Sequence, residues 1–209
     1  MELVRGYLNQ VQELLAVVPV ACVEDVIHVL HRARLEGRRI YLLGNGGSAS
    51  TASHFACDLA KNTRVAGLPD VRAIALTDNM AMMTAYANDE GYDQVFAQQL
   101  ASFVQAGDVV IAISTSGNSP NVLRAVEQAT AAGALTIGFT GFDGGMLGRL
   151  VKVWVNIPSC CVPQVEDVHL VLEHLICSAL HQLAAPMLMP MEAQPATLVM
   201  AEVAARADK

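Results

Sequence analysis

His54 and Asp58 lie four residues apart in a run with helical periodicity, so their side chains share one face of a helix. Glu166 and His174, eight apart in a later run, approximate one face of another. Two imidazoles and two carboxylates on two helices can converge as a four-ligand metal site, and zinc accepts both donor types. Spacing alone leaves a second reading open, that of ordinary helix-face pairs. His169, five residues before His174, points elsewhere.

Two runs of small residues supply a different chemistry. Gly44-Asn45-Gly46-Gly47-Ser48-Ala49 follows the apolar segment Arg39-Ile40-Tyr41-Leu42-Leu43, and Ser114-Thr115-Ser116-Gly117-Asn118-Ser119 follows Asp108-Val109-Val110-Ile111-Ala112-Ile113. Each precedes a helical pattern. A small-residue loop at a strand-to-helix junction presents free backbone N–H groups and hydroxyls at a helix N-terminus, where phosphate is favoured. Two such loops point to one phosphorylated sugar gripped from two sides. Either loop alone is also explained as a plain turn or a helix cap.

The elements that must position these groups follow from periodicity and breakers. Helices are expected over 2–17 and 21–36, separated near Pro19, then over 48–62 with Ser48 as N-cap, 80–88, 92–103, 120–132 and 164–183. Pro120 suits the first helical position and Gly133 ends that helix. Strands are expected over 38–43, 71–76, 108–113, 135–139 and 150–157. Asp143-Gly144-Gly145 reads as a turn before a short helix. Continuous apolar strands alternating with helices imply an α/β three-layer sandwich: a parallel five-stranded sheet covered on both faces, with extra N-terminal helices. In such sheets ligands sit beyond the carboxyl ends of the strands, which is where both loops fall. Residues 1–186 are expected to form one domain, and 187–209, with methionines among prolines, an extension.

Composition narrows the class. At 53% hydrophobic and 16% charged residues the chain is too apolar for disorder. It has no run of about 18 apolar residues to span a bilayer. Its N-terminus reads as an amphipathic helix carrying Glu2, Arg5, Gln10 and Glu13, not as a signal peptide, so a cytoplasmic location is expected. A formal charge of −7 argues against nucleic acid as the ligand. The cysteines are five, with no C-x-x-C pair, so a disulfide framework is not expected; Cys22, Cys57 and Cys177 read as buried free thiols within helices. His28, His31 and His181 belong to no motif, and Asp78-Asn79 reads as a helix cap.

The stretch Gly44 to Leu59, with Ala87-Asn88-Asp89, Ser114 to Ser119, Glu166-Asp167-Val168-His169 and His174 in order, resembles the sugar isomerase (SIS) domain family, in its phosphoheptose isomerase branch. The resemblance implies that Asn45, Gly46, Gly47 and Ser48 contact substrate from the first loop, Asn88 and Asp89 from a neighbouring one, and that Ser114, Thr115, Ser116 and Ser119 hold the phosphate. It implies that His54, Asp58, Glu166 and His174 occupy the zinc-binding and catalytic positions, with Asp58 and Glu166 also near substrate. Asp58 would be the base and His174 the acid of a ketose–aldose isomerisation of sedoheptulose 7-phosphate through an enediol. It further implies a homotetramer with active sites between subunits. Two positions depart from the pattern: Asp58 stands where the family has Glu, and Glu166 where it has Gln. Two alternatives stay in play, the first because of these departures and the second because serine loops recognise phosphate and say little about sugar length. One is a non-catalytic phosphosugar-binding module that regulates a protein partner such as the replication initiator; the other is an isomerase for a different phosphosugar.

Overall fold

The computed structural model describes residues 2–184. Helices α1 (Glu2–Ala16) and α2 (Val20–Leu35) precede β1 (Arg39–Gly44), α3 (Gly47–Lys61) and β2 (Arg72–Ala75). Helix α4 (Met80–Asp89), a 3₁₀ turn (Tyr92–Gln94) and α5 (Ala97–Phe103) lead to β3 (Val109–Ser114). Then come α6 (Pro120–Ala131), β4 (Leu135–Thr140), the single turn α7 (Leu147–Leu150), β5 (Val153–Asn156) and α8 (Val162–Ala184).

All five strands are parallel, in the order β2-β1-β3-β4-β5. Alternation along each strand divides the core. Ile40 and Leu42 of β1 face α2, α3 and α8, together with Ile111, Ile137, Phe55 and Leu172; Tyr41 and Leu43 face α5 and α6, together with Val110, Leu100 and Val126. These side chains are essentially sealed from solvent. Burial of each Leu, Ile or Phe contributes ~1.5–3 kcal/mol, and with helices on both faces the strands can be apolar throughout.

Element types match the expectation throughout, with shifts where backbone geometry intervenes. Helix α3 begins at Gly47, so Ser48 is not its N-cap; that place is Gly46, two residues earlier, whose φ of 57° turns the chain into the helix. Ser48 instead lies buried in the first turn. The helix expected over 92–103 is split into the 3₁₀ turn and α5. The final strand, expected over 150–157, is confined to Val153–Asn156, and Leu150 belongs to the helical turn Leu147–Leu150 before it. Asn79 caps α4, its side chain accepting from the Met82 N–H at 3.1 Å. The cysteines among the described residues are free; Cys177 is buried as expected, but Cys22 is only half-buried and Cys57 is exposed. Residues 187–209, read as an extension, lie outside the described residues.

Among the described residues no single helix is long and apolar enough to cross a membrane. Helices α1 and α2 together meet that test by composition, but they bend by 69°, and α2 buries Val23, Val26 and Leu30 in the core.

Candidate active site

Strand order reverses between β1 and β3, since β2 lies beyond β1 while β4 and β5 lie beyond β3. Their carboxyl ends register Gly44 against Ile113, which sets the two small-residue loops side by side at the switch point where open α/β sheets bind ligands. Asn45 and Asn121 lock the loops together. Asn45 Nδ2 donates to Asn121 Oδ1 at 2.9 Å, and Asn121 Nδ2 returns a bond to Asn45 Oδ1 at 2.8 Å. The Tyr92 hydroxyl adds a third bond to Asn45 Oδ1 at 3.0 Å. Neither Asn121 nor Tyr92 stood out in the sequence; Asn121 is buried beside the proline that opens α6, and a polar residue there is the signal that was available.

Helices α3 and α6 both start at this point, and neither N-terminus carries a side-chain cap. In α3 this leaves the first N–H groups, those of Gly47 and Ser48, open to an anion; in α6 Pro120 has no N–H and that of Val122 is taken by Asn121 Oδ1 and the Ser119 carbonyl, so only the Asn121 N–H is open. Around the second loop Ser114 Oγ and Ser119 Oγ lie 3.4 Å apart, and the Ser116 hydroxyl accepts from the Asn118 N–H. Thr115 is held through its carbonyl, which accepts from the Gly141 N–H. Asn88 and Asp89 are exposed at the carboxyl end of α4, bonded to each other at 2.7 Å, just before Tyr92.

About two turns along α3, some 10 Å from the loop by helical rise, the second group gathers. His54 Nε2 is 3.9 Å from Asp58 Oδ1, and His174 Nε2 is 3.9 Å from Asp58 Oδ2. His54 Nδ1 is 3.8 Å from Glu173 Oε2, and the two imidazoles meet edge to face with centroids 5.0 Å apart. One donor atom from each of His54, Asp58, Glu173 and His174 lies within 4.8 Å of the others. The contacts of 3.8 and 3.9 Å are too long for hydrogen bonds and shorter than twice a ~2.1 Å zinc–ligand distance, and the rest of the group lies close enough for a small inward shift to close it on an ion. The set can therefore hold a metal ion. Asp58 and His174 also border an open groove of about 400 Å³ that continues past Asn62, Ser178 and His181.

Glu166 is not part of this group, contrary to the expected ligand set. Its carboxylate lies against the backbone of Gly47, where any side chain would collide with it. Helices α3 and α8 run side by side in the same direction, so Glu166 is level with the first turn of α3. Seven residues further along both helices, Glu173 is level with His54. The missed residue is Glu173: 1% exposed, with neither carboxylate oxygen hydrogen-bonded. Burial, and then the charge of Asp58, raise its pKa to about 8. Buried carboxylates are normally satisfied, and a cation among these four side chains would supply what Glu173 lacks.

Two neighbours are structural. His169 is buried with Nε2 3.2 Å from the Thr140 carbonyl, and burial lowers its pKa to about 4, so it is neutral and points away from the group. Burial, then Asp58 and Glu173, push the Cys177 thiol well up, which makes it no nucleophile.

The family profile of the SIS domain matches residues 6–141. A phosphoheptose isomerase of Aliarcobacter butzleri is 45% identical over 143 residues, 68% of this chain and 74% of the relative. One of Burkholderia pseudomallei is 38% identical over 157 residues, 75% of this chain and 79% of the relative. The solved phosphoheptose isomerase of Neisseria gonorrhoeae superposes with a TM-score of 0.79 at 31% identity, covering 87% of this chain and 98% of that one. With its switch-point loops, its strand order and these relatives, the chain belongs to the SIS domain family, in the phosphoheptose isomerase branch.

Proposed function

We propose that the protein is a phosphosugar isomerase that converts sedoheptulose 7-phosphate into the corresponding heptose 7-phosphate aldose. The observation that carries this reading is the placement of an anion-binding pair of helix N-termini about 10 Å along α3 from a carboxylate–imidazole group. That span suits an extended seven-carbon sugar whose phosphate and carbonyl ends must be held at once. Serine hydroxyls and free N–H groups would anchor the phosphate, and its binding energy would align the reacting carbons.

Asp58 would take the proton beside the carbonyl, and His174 would return one to the neighbouring carbon or oxygen. Asp58 presents Oδ1 towards His54 and Oδ2 towards His174, so one oxygen can be engaged while the other accepts a proton. His54, Asp58 and His174, with the neighbouring carboxylate, would hold zinc, which supplies polarisation of substrate oxygens when bound. Asn45, Gly46, Gly47, Ser48, Asn88, Asp89 and Glu166 would line the sugar.

We place the protein in the cytoplasm as a homotetramer, with one domain over 1–186 and 187–209 as an extension. The support for assembly is α1, which buries no residue and exposes Leu3, Val4 and Leu8. Light scattering behind size exclusion measures the assembly directly.

The catalytic reading is tested by incubating the protein with sedoheptulose 7-phosphate, with and without zinc, and following aldose formation by NMR. Aldose appearing at enzymatic rates supports it. No turnover in either condition removes it and favours the binding-module alternative; turnover of a pentose phosphate alone moves the substrate assignment.

A further inference from the structure

The register of α3 against α8 separates two places, at the substrate loop and at the metal group, that the resemblance gives to the single carboxylate Glu166. Glu166 meets Gly47, at the phosphosugar loop. Glu173 meets His54, two turns deeper, where its Oε2 is 3.8 Å from Nδ1. The two positions differ by about 10 Å along the helix axes, so one side chain cannot serve both places. Glu173 is also the one that carries an unmet need. It is 1% exposed and both of its oxygens lack a hydrogen-bond partner, while Asp58, the other carboxylate of the group, is itself an acid.

We propose that Glu173 is the fourth metal ligand of this chain, in place of Glu166, and that it ties the stability of the protein to metal occupancy. The proposal rests on the metal reading above and adds to it the identity of the ligand and its cost. Without the ion, α8 carries a buried carboxyl with nothing to pair with, and such a group destabilises a fold. With the ion, the same group is satisfied, and any ligand that binds only the native state stabilises it. Glu166, level with the sugar loop, remains outside the ligand set.

The test uses the full chain stripped of metal, as wild type, Glu173→Leu, Glu173→Gln and Glu166→Gln. Zinc alone is titrated in competition with a chromogenic chelator, and melting temperatures are recorded with and without zinc. Wild type is expected to bind zinc and to melt higher with it. Metal-free Glu173→Leu is expected to melt above metal-free wild type, to bind zinc about 100-fold more weakly or worse, and to gain little from it, because changing even an outer-shell partner costs about 10–100-fold. Should the leucine variant not fold, Glu173→Gln keeps the shape, and its zinc affinity is expected to fall at least about tenfold. Glu166→Gln is expected to bind zinc as wild type does.

Wild-type affinity in both Glu173 variants, or loss of affinity in Glu166→Gln instead, overturns the assignment and leaves the metal reading intact. Failure of wild type to bind zinc at all overturns both together.

Discussion

His54 Nδ1 and Glu173 Oε2 lie 3.8 Å apart between two helices that run in the same direction from the same end of the sheet. That approach reports the register of the two helices along the whole site. One end of the α3–α8 seam meets the loop after β1 through Gly47 and Glu166, and the other closes on Asp58 and His174.

Asp58 lies between the two imidazoles with a side chain only 12% exposed. Replacement by alanine removes the proposed base, and kcat is expected to fall by about 100-fold or more. Aldose formation by the variant, with circular dichroism to confirm folding, checks this. A variant that keeps the wild-type rate removes Asp58 from the mechanism.

The phosphate grip is tested at Ser119, whose hydroxyl faces Ser114 across 3.4 Å and caps nothing. Ser119→Ala is expected to raise KM for the phosphosugar by about tenfold, the worth of a hydrogen bond to a charged group. Inorganic phosphate should inhibit wild type more strongly than the variant. Equal inhibition of both would place the phosphate elsewhere.

Asn121 ties the start of α6 to the first loop through two bonds to Asn45 and is 2% exposed. Asn121→Ala leaves Asn45 short of partners and is expected to cost ~1–3 kcal/mol of stability. Activity should fall as well, because the loops lose their mutual alignment. Urea denaturation and kcat/KM measured on the same preparation test both effects.

His169 provides a pH signature. Its folded pKa is lowered to about 4, whereas an unfolded histidine titrates near 6.5. Between those values the unfolded chain binds a proton that the native state refuses. Stability therefore rises with pH across that window and levels off above it. The amplitude from this residue is roughly 3 kcal/mol at most. His169→Gln retains a donor for the Thr140 carbonyl and should lose that slope. The stability difference between variant and wild type, followed by denaturant titration from pH 4 to 8, isolates the residue. A pH-independent difference would mean that His169 takes up its proton inside the fold.

Local chemistry determined much of this protein in advance. Apolar runs of strand length, alternating with helical periodicity, dictated a parallel sheet covered on both faces. Gly46, whose φ of 57° few other residues adopt, Gly47, which Glu166 packs against, and the serines from Ser114 to Ser119 marked the two candidate anion-binding loops. His54 and Asp58 were legible as one face because their spacing is a property of a single helix. What lay beyond reach was any relation between helices. Glu166 and His174 approximate one face of α8, and nothing in their spacing tells which turn of α3 each will meet. Tertiary packing decided that, by starting both helices at the carboxyl end of the sheet and setting Glu166 on Gly47 and Glu173 on His54. The burial of Glu173 without a partner followed from the same packing, because solvent exclusion depends on what covers a residue rather than on its neighbours in the chain.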